Sequence, residues 1–260
     1  MGNLALTGER TVPNVPGEEY WFARHDVVYR WIADTMITRN STRIIIDAGS
    51  GEGWGPASLA HAASPFVIGL EYDEAAVRHA TDAYPDVQFI RANLADMPLG
   101  VSTADLLVSL QVMEHLWSLP QFLRRCAEIL RPGATAVFST PNRPVFSPGL
   151  KRGQVPVNPF HVEEFDADQM MGLLVTAGFC DIEMGGVVHG RRLSEWEIQH
   201  GAITGALLNS ATVDGHPPTS VTLALAHLLP TISAEDFTLN WARPHESAWQ
   251  DLVAIARTPS

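Results

Sequence analysis

A doubly wound α/β sheet is the fold class this sequence predicts, on two observations. Residues 43–139 alternate short apolar runs with segments of helical period, and strand-helix-strand order means parallel pairing with right-handed crossovers. The first run, Ile44-Ile45-Ile46-Asp47, suits a strand covered on both faces. It breaks into Ala48-Gly49-Ser50-Gly51-Glu52-Gly53-Trp54-Gly55, where glycines permit positive φ and let a ligand approach backbone.

The elements follow in chain order. Residues 1–18, rich in Gly and Pro, read as an extended arm. Glu18-Glu19 opens a helix whose apolar positions Trp21, Phe22, Val28, Trp31 and Ile32 recur at near-helical spacing as far as Met36. Strands are expected at 43–48, 66–72, 87–92, 104–110 and 134–139. Helices fill the gaps near 55–62, 73–83 and 118–130, the last stopped by Arg131-Pro132-Gly133. Pro141, Pro144, Pro148, Pro156 and Pro159 make 141–165 a long loop near the strand ends, and such loops are usually functional or disordered. Asp166–Gly178 reads as a helix with Leu173 and Leu174 inward, and 179–188 as a strand. Residues 190–230 look like a helical insertion turned at His216-Pro217-Pro218, and 237–241 and 252–256 read as two closing strands. The domain scheme is an arm and helix at 1–42 that could act as a lid, a core at 43–189, the insertion at 190–230 as acceptor cap or dimer face, and 231–260 as an antiparallel strand pair of the same domain.

A formal net charge of −12 disfavours sequence-independent nucleic-acid binding, which depends on Lys and Arg neutralising phosphates. Small neutral or cationic substrates fit better. Cys126 and Cys180 offer neither a disulfide framework nor zinc spacing, which suits a reducing cytoplasm. Met1 to Arg10 lacks the apolar region of a signal peptide, and no stretch of about 18 apolar residues is present to span a bilayer, so no membrane partner is expected.

The glycine turn narrows the ligand. A dinucleotide fingerprint G-x-G-x-x-G would need glycine at Trp54 or Pro56, and neither is one. Asp47, two residues before Gly49, instead suits a ligand carrying an ammonium and no pyrophosphate, such as S-adenosylmethionine (SAM). Ligands of open α/β sheets bind at the carboxyl ends of the strands. There Glu71, twenty residues after Gly51 and next to Tyr72, can accept two hydrogen bonds from ribose hydroxyls. Asn93 and the Leu94 backbone N–H can meet adenine, and Gln111 falls beside the expected sulfonium. Taken singly, Asp73 and Asp96 read better as caps or solvated turns.

In this order, with Phe179 after Ala177-Gly178 and the closing strands, these stations resemble the class I SAM-dependent methyltransferases over 43–185 and 237–257. The resemblance implies a Rossmann-like doubly wound sheet of seven strands, mostly parallel with an antiparallel last strand, plus the helical insertion. It implies SAM as cofactor, with Glu71 at ribose where Asp is commoner in the family, and Asn93 near adenine where the family has an acid. A narrower likeness lies in Thr7-Gly8-Glu9-Arg10-Thr11-Val12-Pro13, Glu19 to His25, Gln111 to Trp117, Ser139 to Arg143 and Asn158-Pro159-Phe160-His161. These are similar to actinobacterial sugar O-methyltransferases of methylmannose and methylglucose polysaccharide synthesis. That likeness implies a mono- or oligosaccharide acceptor.

Methyl transfer to a hydroxyl needs in-line alignment and removal of a proton. His115, just past the fourth strand, and His161, in the proline-rich loop, are the candidate bases. Gln111-x-x-Glu114-His115 with a later His161 also resembles the Glu-x-x-Glu-His plus distal His set by which some class I methyltransferases hold a divalent cation such as Mg²⁺. Here Gln111 removes one anionic ligand. Phe22, with Tyr20 and Trp21, could cap the cofactor, and Arg24 could pair with its methionyl carboxylate. Arg143, His189 and Trp196 are acceptor-side candidates. A methyltransferase acting on a natural-product hydroxyl or amine, and a catalytically inactive SAM-binding subunit, are the competing functions.

Overall fold

The isoleucine run becomes the middle of a sheet. In the computed structural model, which describes residues 10–37, 42–63, 66–210, 220–242 and 249–260, it forms β1 (Ile44–Ala48). The other strands are β2 (Phe66–Glu71), β3 (Gln88–Arg91), β4 (Ala104–Leu110), β5 (Leu130–Pro141), β6 (Cys180–His189), β7 (Phe237–Asn240) and β8 (Asp251–Arg257). Their spatial order is β3-β2-β1-β4-β5-β8-β6-β7. The first five are mutually parallel, and β8 runs antiparallel between β5 and β6.

Seven strands were expected, and the sheet has eight. Short, half-exposed β7 adds to the far edge, pairing Phe237–Asn240 antiparallel with Gly186–His189. Nor do the two closing strands pair with each other, because β6 lies between them. Their burial explains the sorting: β8 is covered along nearly its whole length and fits an interior slot, whereas β7 suits an edge.

Alternation along β1 sends neighbouring isoleucines to opposite faces, so the sheet has a core on each side. Ile46 joins the core built by α4 (Leu119–Ile129) and α6 (Ala167–Thr176), with Phe122, Leu123, Cys126, Met170 and Leu174. Ile45 joins the other, built by α1 (Glu19–Thr35) and α2 (Trp54–Ala63), with Tyr20, Ile32 and Leu59. On that second face also lie α7 (Arg191–His200), α8 (Ile203–Ser210) and α9 (Ser220–Leu228), whose Leu193, Ile203 and Leu225 are buried in the same core. The inserted helices thus extend the layer begun by α1. The turn expected at His216-Pro217-Pro218 lies outside the described residues.

Local chemistry sets the element ends. Asp73 caps α3 (Glu74–Ala83) by accepting from the Ala75 amide at 2.8 Å, and Asp166 caps α6 through the Gln169 amide at 2.9 Å. Arg131-Pro132-Gly133 does not simply stop α4. The strand already begins at Leu130, opposite Ala104, and the next matched pair is Thr135 with Leu106, so these residues bulge out of the ladder. The proline-rich loop holds one short helix, α5 (Arg143–Phe146), and a bridge from Asn142 to Phe165 brings its end back to the sheet. No helix among the described residues is long and apolar enough to cross a membrane.

A buried ion pair fastens α1 to the interior strand. Arg24 donates through Nε to Asp251 Oδ2 at 2.9 Å and through Nη2 to Oδ1, with both side chains all but inaccessible. The guanidinium is sandwiched by aromatic rings, 4.6 Å from the Phe146 centroid and 5.0 Å from that of Trp21. Breaking such a pair leaves one uncompensated buried charge, so Arg24→Ala or Asp251→Ala should cost about 3–5 kcal/mol in urea unfolding. An Arg24→Met/Asp251→Leu double variant should recover most of that loss. Equal destabilisation by the single and double changes would show that packing, rather than charge, sets the cost.

Candidate active site

The turn after β1 is bonded to its neighbour. The Gly49 and Ser50 amides both donate to the Leu70 carbonyl, at 2.8 and 2.9 Å, and the Gly51 amide donates to Glu71 Oε2 at 2.9 Å. Gly49 has φ +95° and no room for a side chain, since a Cβ there would collide with Val112. Gly53, at φ +103°, lets helix and sheet close up. A Cβ on it would fall 2.7 Å from that of Ala80 and 2.9 Å from the Phe89 ring. The close approach at Gly53 is thus of the turn to α3 and to the β3 ring of Phe89.

Over this turn opens a cavity of about 580 Å³, large enough for a nucleoside with an amino-acid tail. Gly49, Gly51, Glu71, Tyr72, Leu94 and Gln111 line it, six of the cofactor-site residues read from sequence. Glu71 Oε1 accepts from the Asp73 amide at 2.8 Å, so two backbone donors hold the carboxylate while its remaining lone pairs can take ribose hydroxyls. Tyr72 is two-thirds exposed and, with Leu94, adds apolar surface to the wall.

Beneath the turn, Asp47 is fully buried. Its Oδ2 accepts from the Tyr29 hydroxyl at 2.9 Å, and its Oδ1 has no hydrogen-bond partner among the described residues. A buried carboxylate oxygen left open is costly unless a donor reaches it, and an ammonium or a bridging water would do so. Burial pushes this carboxyl up to about 7, opposed by the Tyr29 hydrogen bond and reinforced by the charge of Glu71. Asp47 does not itself line the cavity, so the cradle at Gly49 and the placement of Glu71 are what fit SAM directly.

At the other end of the cavity stand the groups suited to proton transfer. Gln111 has φ +57°, a left-handed conformation uncommon outside glycine and found disproportionately at functional positions. Ser139 holds it there, its carbonyl accepting from the Gln111 amide at 2.9 Å and its hydroxyl from Nε2 at 3.1 Å. His115 lines the cavity, and its Nδ1 lies 3.1 Å from the Phe160 carbonyl. A carbonyl only accepts, so Nδ1 carries a proton, and Nε2 lies 4.0 Å from Glu114 Oε1. His161, its ring centroid 5.0 Å away, is fixed likewise: Nδ1 donates to Glu164 Oε1 at 2.8 Å, and Nε2 meets the Asn158 amide nitrogen at 3.0 Å. Buried Glu114 accepts from the Thr140 hydroxyl at 3.0 Å, and burial raises its pKa despite both histidines. Ligand atoms of Glu114, His115 and His161 lie within 4.8 Å of one another, a spacing one divalent cation could bridge.

Several expected site residues sit elsewhere. Arg24, read as a partner for the methionyl carboxylate, is committed to Asp251. Phe22 stacks on Trp54 at 4.6 Å and is not among the residues that line the cavity, and neither is Asn93, whose side chain caps the Leu94–Asp96 turn by accepting from the Ala95 amide at 3.0 Å. Arg143 is buried, donating to the Glu164 carbonyl, Gln169 and Asp166, and pins the proline-rich loop to α6. His189 lines a second cavity of about 490 Å³, held between Glu197 and the Tyr20 hydroxyl, each at 2.9 Å; Trp196 stacks on His200. Sequence reasoning missed Arg10, Thr11, His25 and Tyr29 in the cofactor wall and Glu164 behind His161. Arg10, Thr11 and His25 lie inside the N-terminal motifs, and Glu164 falls three residues after His161, so only Tyr29 left no local signal.

Fold and site define a nucleoside-binding α/β protein with a methyl-donor pocket, and the comparisons agree. Residues 46–138 match a methyltransferase-domain family. A Mycobacterium tuberculosis protein described as a probable S-adenosylmethionine-dependent methyltransferase is 40% identical, covering 98% of this chain and 90% of its own. A Mycolicibacterium smegmatis protein, also described as a probable S-adenosylmethionine-dependent methyltransferase, is 42% identical over 98% of this chain and 96% of its own. A SAM-dependent methyltransferase from Archaeoglobus fulgidus shares the fold, with a TM-score of 0.59 at 16% identity over 93% of this chain and 97% of that one. The chain belongs to the SAM-dependent methyltransferases.

The raised pKa of Asp47 has a consequence for stability. Between about pH 4 and about 7 the folded state keeps a proton that the unfolded chain has released, so stability falls as pH rises through that window. Asn cannot ionise. The melting temperature of the wild type minus that of Asp47→Asn should decline across this window and level off above it, whereas a flat difference would contradict the buried-acid assignment.

Proposed function

We propose that the enzyme methylates a hydroxyl of a sugar, a mannoside or glucoside destined for polymethylated polysaccharide. The observation that carries the reading is the pairing of His115 and His161 at the end of the cofactor cavity, each imidazole oriented through Nδ1 by an acceptor. Bound SAM supplies an electrophilic methyl group. The residues of the chain must position the hydroxyl and take its proton. His115 is placed for this, with Nε2 as the basic nitrogen and the Phe160 carbonyl fixing the ring. His161, backed by Glu164, packs edge-on against His115 and helps to hold that ring. Glu114, His115 and His161 could also hold a divalent cation such as Mg²⁺, which would lower the pKa of a coordinated hydroxyl directly. For that role Asn158 would have to release His161 Nε2.

The sugar assignment is supported by the motifs from Gln111 to Trp117 and Asn158 to His161. Net charge argues in the same direction, since an acidic chain favours a neutral acceptor over an anionic one.

Incubation with methyl-labelled SAM and a panel of mono- and oligosaccharides tests the proposal. Transfer to a mannoside or glucoside is expected, and transfer to none of the panel despite firm SAM binding would overturn it. His115→Ala should lower kcat by about 10²–10⁴-fold while leaving SAM affinity in place. Extensive chelation that abolishes turnover, with recovery on adding Mg²⁺, would assign the cation; unchanged turnover would leave the imidazole alone in the role.

A further inference from the structure

Arg24 is paired with Asp251 and, although its Nη1 has no hydrogen-bond partner among the described residues, it does not line the cavity, so the α-carboxylate of the cofactor needs another cation. Arg10 is the one Arg or Lys among the described residues lining the 580 Å³ cavity. Nearby His25 cannot substitute, because burial, and then the charge of Arg24, pushes its pKa down to about 4 and leaves the ring neutral.

Arg10 crosses the glycine turn. Its stem lies over Gly51, where a Cβ would come 3.6 Å from Arg10 Cγ. Nη2 donates to Asp73 Oδ2 at 3.0 Å, which fixes one edge of the guanidinium fork. The following residue is tied down too, by Trp54 Nε1 donating to the Thr11 carbonyl at 3.2 Å and by the Thr11 hydroxyl 3.1 Å from His25 Nδ1. Nη1, by contrast, is buried without a hydrogen-bond partner among the described residues. A cationic N–H in that position is costly until an acceptor arrives.

We propose that Arg10 binds the α-carboxylate of SAM and so makes the N-terminal arm part of the cofactor site. The carboxylate is the one anion on that molecule, and the acids in the wall, Glu52 and Glu71, could only repel it. Arg10 suits the task because its planar fork can serve Asp73 and a second carboxylate at once. The inference rests on the cofactor and is independent of the acceptor.

Two ligands separate a direct contact from a general tightening of the site. S-adenosylhomocysteine carries the carboxylate, whereas 5′-methylthioadenosine has the same adenosine and thioether without the amino-acid end. By calorimetry, Arg10→Ala should weaken S-adenosylhomocysteine about 10–100-fold and leave 5′-methylthioadenosine within about twofold of wild type. Arg10→Lys, which keeps the charge and loses the fork, should fall between. Unchanged 5′-methylthioadenosine binding also certifies the fold. Equal weakening of both ligands in both variants, or no weakening of either, would overturn the proposal.

Discussion

The cofactor cavity depends on the turn after β1 being tied to the end of β2. Leu70 and Glu71 together accept the amides of Gly49, Ser50 and Gly51, so three successive donors that would otherwise need water or a ligand are already satisfied. That fixes a chain segment which glycine would leave loose. Once the turn is rigid, α2 starts in a defined direction and Asp47 is sealed beneath it. Glu71 also faces the cavity with its orientation set by two backbone bonds. Binding then requires little ordering of the protein, and less of the interaction energy is lost to it.

Helix α1 measures out the rest of the site. Along it, Tyr20 bonds to His189, Arg24 to Asp251, His25 to Thr11 and Tyr29 to Asp47, so one helix touches β6, the interior strand, the arm and the acid under the turn. Tyr20 and Arg24 are four residues apart, as are His25 and Tyr29, which puts the members of each pair on adjacent turns. The apolar periodicity that marked this helix in the sequence reported only its packed face. Its polar positions were invisible as contacts because each partner is distant in sequence.

What could be read from the sequence divides along the same line. Local signals succeeded: β-branched runs became strands, Asp73 and Asp166 became caps, and the glycine turn, Glu71, Tyr72, Leu94 and Gln111 meet around one cavity. Long-range partners were not legible. Nothing near Arg24 announces Asp251, so its charge looked available for a ligand. The strand count failed for a related reason, since the eight runs were visible one by one, while their order in the sheet depends on pairings between β6 and strands far along the chain. Arg143 illustrates a third difficulty. A planar cation in a proline-rich loop suits sugar recognition and loop anchoring equally well, and only its contacts with Asp166 and Gln169 decide between them.

The position of β8 bears on how the protein is made. It is the last strand in the chain and yet separates β5 from β6, so the two sides of the sheet have no continuous ladder until it arrives. A ribosome working from the first residue exposes β1 to β5 and their glycine turn long before it delivers Asp251. Throughout that interval β5 presents an open edge, and Arg24 lacks its counter-ion. The residues of the glycine turn are therefore synthesised while the edge of β5 still lacks its partner.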